Sequence, residues 1–322
     1  MIAANKADND TLATQASEFY SLGLGDPVPV SAYHGRGTRE LISRVLALLP
    51  DVPETPSAAG KRLAIVGRPN VGKSMLLNAL VGQERVIVDP APGTTRDAVD
   101  TAFTYAGETV VLVDTAGMRR PGRIGRGLEY YSSLRTIRAI ERCDVALLVL
   151  DATQPASSQD AHVAAHVLRA GRGLVIVANK SDLLPGVTRA QLVAEVGERF
   201  KFASYAPILV VSAKLGWGTD AIVPQAVQIC REREKTVSAS VLVDFVKEAV
   251  QAHPPPYPLR IKAIRQTGVN PPRFEVLVND ARVVHFSYRR YLQNRMRQFY
   301  GFDGTPLIFS FKSAKIVRVR AR

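Results

Sequence analysis

The chain has 322 residues, 46% of them hydrophobic, which is material for two compact domains and too much for one. Its net charge of +13 is uneven: Arg231 to Arg322 holds 18 lysines and arginines against 7 acids, so the C-terminal end is either the part that meets a phosphate-rich partner or a solubilising surface. No apolar run approaches the roughly 18 residues that cross a bilayer, Met1 to Asp10 is no secretion signal, and Cys143 and Cys230 lack metal or redox spacing; the sequence predicts a cytoplasmic protein without membrane insertion and with two reduced, partly buried thiols.

The first element in chain order is half of a repeat. Ala4-Asn-Lys-Ala-Asp8, followed by Val30-Ser-Ala-Tyr-His-Gly-Arg-Gly-Thr38, recurs as Ala178-Asn-Lys-Ser-Asp182, followed by Val211-Ser-Ala-Lys-Leu-Gly-Trp-Gly-Thr219. Two motifs matched in the same order mark duplicated domains. Residues 1–50 therefore read as the C-terminal remnant of a first nucleotide-binding domain, without a phosphate loop and unable to bind nucleotide alone. The proline-containing stretch 51–60 reads as a linker.

From 61 to 234 short β-branched runs alternate with amphipathic stretches, the pattern of a parallel sheet with helices on both faces, so this part is expected to be a complete α/β domain. Gly67-Arg-Pro-Asn-Val-Gly-Lys-Ser74 follows an apolar run and leads into a helix-forming one, the context of a phosphate loop. Asn70, Val71 and Gly72 line such a loop, Lys73 adds a cation to the β and γ oxygens, and Ser74 ligates magnesium. Pro92-Gly-Thr-Thr-Arg-Asp97 contains Thr94 and Thr95, with Thr95 expected to close on magnesium when triphosphate binds. Asp114-Thr-Ala-Gly117 ends the next strand, placing Asp114 on magnesium through water and the Gly117 N–H at the γ-phosphate. A glutamine that orients the attacking water commonly follows; here the position is Met118, which cannot. Catalysis is then assigned to Lys73, Thr95, Gly117 and Asn70, whose amide oxygen either holds potassium beside the phosphates or braces the loop. Arg119, Arg120 and Arg123 are solvated charges or partner contacts.

Asn179-Lys-Ser-Asp182 selects the base, because a carboxylate accepts from both the ring N–H and the exocyclic amine of guanine while adenine offers neither. Asn179 faces the guanine acceptor edge in this reading, Lys180 lies along the base, and Ser212, Ala213 and Lys214 close the loop, the Ala213 N–H reaching the guanine oxygen. The nucleotide is GTP or GDP with magnesium.

Residues 235–322 are predicted as a small α+β domain: a helix over Ser238 to His253, strands over Leu259 to Thr267 and Arg273 to Asn279, a helix over Phe286 to Tyr300, and a strand over Leu307 to Lys312. On the second helix Leu292, Met296 and Phe299 define the packing face. Arg289, Arg290, Arg295 and Arg297 are either a solvated basic face or RNA contacts. Tyr288, Tyr291 and Tyr300 are assigned to packing rather than base stacking. Lys312 to Arg322 carries five cations and no acid, which favours a phosphate partner.

With these residues in place the whole chain resembles the Der (EngA) tandem GTPases. The resemblance rests on Gly67 to Ser74, Pro92 to Asp97, Asp114 to Gly117, the repeated Asn-Lys-x-Asp, Asn270 to Asp280, His285 to Tyr291 and Gly301 to Pro306. It implies a P-loop GTPase domain of Ras-like fold with a KH-like domain behind it, potassium-stimulated hydrolysis with Asn70 as the ion's side-chain ligand, and a role in assembly of the large ribosomal subunit through rRNA, as a monomer. Two departures stand out: the first GTPase domain lacks its phosphate loop and switches, and the last domain has no Gly-x-x-Gly clamp. A non-hydrolysing, GTP-gated RNA-binding module, or an inactive fragment of a tandem GTPase, are the alternatives; a partner GTPase of tRNA modification shares the loop but leaves the C-terminal domain unexplained.

Overall fold

The computed structural model describes residues 1–48, 60–82, 100–115, 128–154 and 157–314. The chain divides into two compact units, Met1–Ala58 and Ala59–Arg322. In the first, β1 (Ile2–Ala4) pairs in parallel with β2 (Pro27–Pro29), accompanied by the helices α1 (Asp10–Gln15) and α2 (Thr38–Leu48). Its core is a handful of small side chains: Ala4, Ala7, Ala16, Val28 and Val30. Along α2, Ile42 and Leu46 are 57% and 62% exposed, whereas Val223 and Val227, at the matching positions of the second repeat, are 1% and 3% exposed. The same apolar spacing is thus written twice and buried once.

The second unit is built on a six-stranded sheet of β3 (Lys61–Val66), β4 (Thr101–Tyr105), β5 (Glu108–Val113), β6 (Val145–Asp151), β7 (Gly173–Asn179) and β8 (Ile208–Val210), in the order β4-β5-β3-β6-β7-β8. All neighbours are parallel except the β4–β5 pair, whose short turn at Ala106 and Gly107 permits the antiparallel return. Every residue of β6 and β7 is buried, as expected of strands covered on both faces, and their side chains alternate between two cores. Leu63, Leu147 and Val175 point to one side with α3 (Lys73–Val81) and α7 (Ile222–Glu234). Ala64, Leu148 and Ile176 point to the other, against α4 (Leu128–Arg142), α5 (Ser158–Arg169) and α6 (Arg189–Arg199). Reciprocal caps open two of these helices, Ser157 with Asp160 on α5 and Thr188 with Gln191 on α6.

A third core belongs to the C-terminal part. There α8 (Ala239–Ala252) and α9 (Phe286–Tyr300) cover a three-stranded sheet of β9 (Ile261–Gly268), β10 (Arg273–Val278) and β11 (Ile308–Ser313), with β10 central. The buried stripe of α9 is Tyr288, Leu292 and Met296. Phe299, expected on that stripe, is 43% exposed; the row continues at four-residue steps towards Tyr288, and Phe299 instead lies under the Arg295 guanidinium, 4.7 Å from ring centre to Cζ. The hydroxyls of Tyr288, Tyr291 and Tyr300 donate to the carbonyls of His253, Ala249 and Val241, so these rings pack rather than await bases.

This module is fastened to one end of the large sheet. The Leu174 N–H donates to the Gly304 carbonyl at 2.7 Å, the Gly304 N–H to the Tyr205 carbonyl at 2.9 Å, and the Asn270 N–H to the Arg233 carbonyl at 2.9 Å. Gly304 sits at φ +67, in the left-handed region that favours glycine, and packs closely against the Ile229 side chain. Arg297 stacks on Tyr205 at 3.8 Å and donates to the carbonyls of Phe302 and Thr305; burial lowers its pKa to about 10. It is a structural cation of this junction and not a member of the open basic face on which the sequence placed it.

Candidate functional site

The carboxyl ends of the parallel strands converge on one edge of the sheet, where open α/β folds bind ligands. Gly67 follows β3, Asp114 follows β5, Asp151 and Asn179 end β6 and β7, and Ser212 lies just beyond β8. The loop from Gly67 is held by backbone geometry that only glycine satisfies at two points. Gly67 has φ +141 and would press a Cβ to 2.4 Å from the Val149 carbonyl oxygen; Gly72 has φ +99 and would press one to 2.3 Å from Asn179 Nδ2. Asn70 adopts the left-handed conformation, φ 64, and is exposed. Val71 is 2% exposed and anchors the loop to the core.

Lys73 opens α3, and its ammonium donates to the carbonyls of Gly67 at 2.8 Å and Arg68 at 2.5 Å. Burial lowers its pKa, a cost that an anion placed against it would offset. Ser74, in the first turn of the same helix, is exposed. The loop is also braced from outside: Arg68 Nε donates to Asp160 Oδ1 at 3.0 Å and lies 2.9 Å from Oδ2, the carboxylate being fully buried. Asp160 Oδ2 accepts in turn from the N–H and hydroxyl of Ser157.

The second cluster joins that loop to the far side of the sheet through a single amide. Asn179, 2% exposed, donates from Nδ2 to the Val71 carbonyl at 2.9 Å and accepts at Oδ1 from the Ala213 N–H at 2.9 Å. The Ala213 N–H, expected to reach a guanine oxygen, here donates to Asn179 Oδ1; Asn179 ends β7, and Ala213 lies three residues beyond the end of the neighbouring β8. Asp182 is oriented by Ser212, whose hydroxyl donates to Oδ1 at 2.6 Å, and Ser212 Oγ accepts in turn from the Leu215 N–H. Lys180, at φ 67, donates to Asp151 Oδ2 at 2.6 Å. Asp151 is nearly buried, which alone would raise its pKa, yet the bonds from Lys180 and from the hydroxyl and N–H of Thr153 outweigh that and lower it. Lys214 is exposed beside this loop.

Between the clusters Asp114 has φ 57 and donates its N–H to Asp100 Oδ1 at 3.0 Å; Asp100 is paired with Arg142 at 2.7 Å. Burial raises the Asp114 pKa, an environment that a divalent cation would relieve. Thr94, Thr95, Gly117, Met118, Arg119, Arg120 and Arg123 lie outside the described residues. Sequence reasoning missed Arg68, Asp100, Asp151 and Asp160, the residues that position the motif side chains. The two thiols are remote from any such chemistry: both are buried and pushed up to about 12.

The first unit repeats the base-side geometry in miniature. Ala32 N–H donates to Asn5 Oδ1 at 3.1 Å, the Ser31 hydroxyl donates to Asp8 Oδ1 at 2.6 Å, and Lys6 has φ 71.

Comparison with known proteins agrees with this layout. Residues 62–180 match the family described as 50S ribosome-binding GTPase, and 236–312 match the KH-domain-like C-terminal domain of EngA bacterial GTPase enzymes. The protein named GTPase Der of Chloroflexus aggregans is 46% identical over 321 residues, covering 97% of this chain and 72% of the relative; that of Thermomicrobium roseum is 47% identical over 322 residues, covering 97% and 70%. Among solved structures, Era in complex with MgGDPNP and a segment of 16S ribosomal RNA aligns at 20% identity with a TM-score of 0.41, over 80% of this chain and 94% of that one. Among the described residues no helix is long and apolar enough to cross a membrane.

Proposed function

Because this chain belongs to the Der family of GTPases, we propose that it hydrolyses GTP as an assembly factor of the large ribosomal subunit, stimulated by potassium. The observation that carries the nucleotide reading is Asn179: one side chain ties the phosphate loop at Val71 to the Ser212–Lys214 loop at Ala213, so the phosphate end and the base end of one ligand share a frame. In this reading Lys73 leaves the carbonyls of Gly67 and Arg68 for the β and γ oxygens. The N–H groups of Asn70, Val71 and Gly72 surround the β-phosphate, and Asp182 accepts both donors of guanine while Lys180 lies along the ring. Ser74, Asp114 and Thr95 hold magnesium, which neutralises phosphate charge, and the Gly117 N–H meets the γ-phosphate. Asn70, exposed and next to those oxygens, is the potassium ligand. The remaining assignments are also proposals: domain limits of 1–50, 61–234 and 235–322 with a linker at 51–60, rRNA as the partner, a monomer, and the cytoplasm.

Single-turnover hydrolysis in matched potassium and sodium chloride tests the chemistry. We expect potassium to accelerate the step by on the order of tenfold or more, since a bare cation there replaces an arginine's charge at the transition state. Equal rates remove Asn70 from the mechanism; absence of hydrolysis in both salts leaves a GTP-gated binding module in place of an enzyme.

A further inference from the structure

Asp114 stands just past β5 in a conformation that its neighbours have to enforce. Its φ of 57 lies in the left-handed region, which a residue with a side chain keeps only where surrounding contacts over-determine it. Contacts reach this corner from the head of β4. The Asp114 N–H donates to Asp100 Oδ1 at 3.0 Å, and the buried hydroxyls of Thr101 and Thr115 are hydrogen-bonded to each other at 2.9 Å.

The head of β4 has to be held in its turn. The strand lies at the edge of the sheet, paired with β5 and, among the described strands, with no other; Asp100 stands ahead of the first paired residues, Thr101 and Leu112. Arg142 reaches it from the last turn of α4, donating from Nη2 to Asp100 Oδ2 at 2.7 Å. That turn is anchored, since Ala139, Ile140 and Cys143 around Arg142 are buried in the core beneath it. Asp100 thus has one carboxylate oxygen on the Asp114 backbone and the other on a cation with a fixed base. The side chains of Arg142 and Asp100 are 37% and 20% exposed, a setting in which an ion pair adds little to stability; what this pair supplies is the placement of Asp114.

We propose that Asp100 and Arg142 form a clamp that sets the Asp114 backbone so that its carboxylate retains magnesium, which makes both of them positioning residues for the ion and neither of them its ligand. The inference rests on the magnesium part of the reading above and is independent of potassium and rRNA. Asp100 acts through Asp114, because both of its own oxygens are engaged. Groups that hold a metal ligand in place commonly change affinity for the ion by about 10–100-fold when they are removed. Magnesium in turn ties the phosphates to Ser74 and Asp114 in that reading, so loosening the clamp shortens the time that nucleotide stays bound.

The test uses the full chain loaded with a fluorescent GDP, whose release is followed after a chase of unlabelled GDP across a magnesium titration and in EDTA. Wild type is expected to release GDP more slowly as magnesium rises. Asp100→Ala and Arg142→Ala should each raise the magnesium concentration that gives half of this slowing by about tenfold or more, with the rate in EDTA unchanged. Arg142→Lys restores the cation and should recover most of the shift, and the double alanine variant should shift no further than Asp100→Ala alone. An unchanged magnesium midpoint in both alanine variants would show that the pair serves the fold alone. Release accelerated by the same factor in EDTA as in magnesium would mean a pocket loosened as a whole, which equally overturns the clamp. Should Asp100→Ala fail to fold, Asp100→Asn answers the same question, since its amide has one acceptor oxygen for the two donors. If wild type releases GDP at one rate with and without magnesium, the magnesium assignment fails and this inference goes with it.

Discussion

Asp182→Asn is expected to lower affinity for GDP and GTP by about a hundredfold or more and to give the protein a preference for xanthosine nucleotides. The structure fixes the geometry of the exchange. Ser212 Oγ donates to Oδ1 at 2.6 Å, so an asparagine keeps its carbonyl oxygen towards Ser212 and turns its N–H groups to the base. Guanine then meets a donor where it needs an acceptor, and a buried polar pair facing like to like costs more than the loss of one bond. Xanthine carries an oxygen where guanine carries its exocyclic amine, so the new amide hydrogen has a partner. Fluorescent-nucleotide titrations with guanosine, xanthosine and adenosine diphosphates measure all three outcomes. A variant that binds GDP within about threefold of wild type would mean that Asp182 does not read the base, since one lost charge-assisted pair alone exceeds that factor.

The glycine loop and the Asn179 to Asp182 part of the candidate site were legible in the sequence because their logic is local. Gly67 and Gly72 are dictated by positive φ and by contacts under 2.5 Å that a Cβ would make, and such demands leave glycines at fixed spacing. The Asn179 to Asp182 and Ser212 to Lys214 loops were readable twice over, because the first copy repeats their spacing and, at Asn5 and Asp8, their hydrogen bonds. The strands and helices followed from the alternation of short β-branched runs with amphipathic stretches. What escaped were pairings between distant residues. Arg68 and Asp160 are 92 positions apart, and Asp151 looks in sequence like the polar end of an apolar strand, with nothing to announce Lys180 as its partner. Arg297 was counted with the surface cations because only the docked module reveals Tyr205 beneath it.

Asp160→Asn is expected to destabilise the second unit by about 3–5 kcal/mol and to weaken nucleotide binding, two effects with separable causes. The carboxylate is fully buried and bonded on both oxygens, to Arg68 through Oδ1 and to the N–H and hydroxyl of Ser157 through Oδ2. Neutralising it leaves the Arg68 guanidinium, whose buried Nη2 has no partner among the described residues, without its Asp160 counter-charge in a low-dielectric place. It also loosens the cap of α5. The stability loss is read by urea unfolding followed at equilibrium. The binding loss has another route: Arg68 supplies one of the two carbonyls that hold Lys73, so freeing its side chain frees the loop. Replacing both partners by apolar residues, Arg68→Met with Asp160→Leu, separates these causes, because an ion pair exchanged for a packed apolar pair recovers much of the stability without restoring the tether. We expect the double variant to regain most of the unfolding free energy while its GDP dissociation stays faster than wild type. If nucleotide dissociation returns to the wild-type rate along with stability, the pair serves the fold alone and Arg68 has no hand in positioning the phosphate loop.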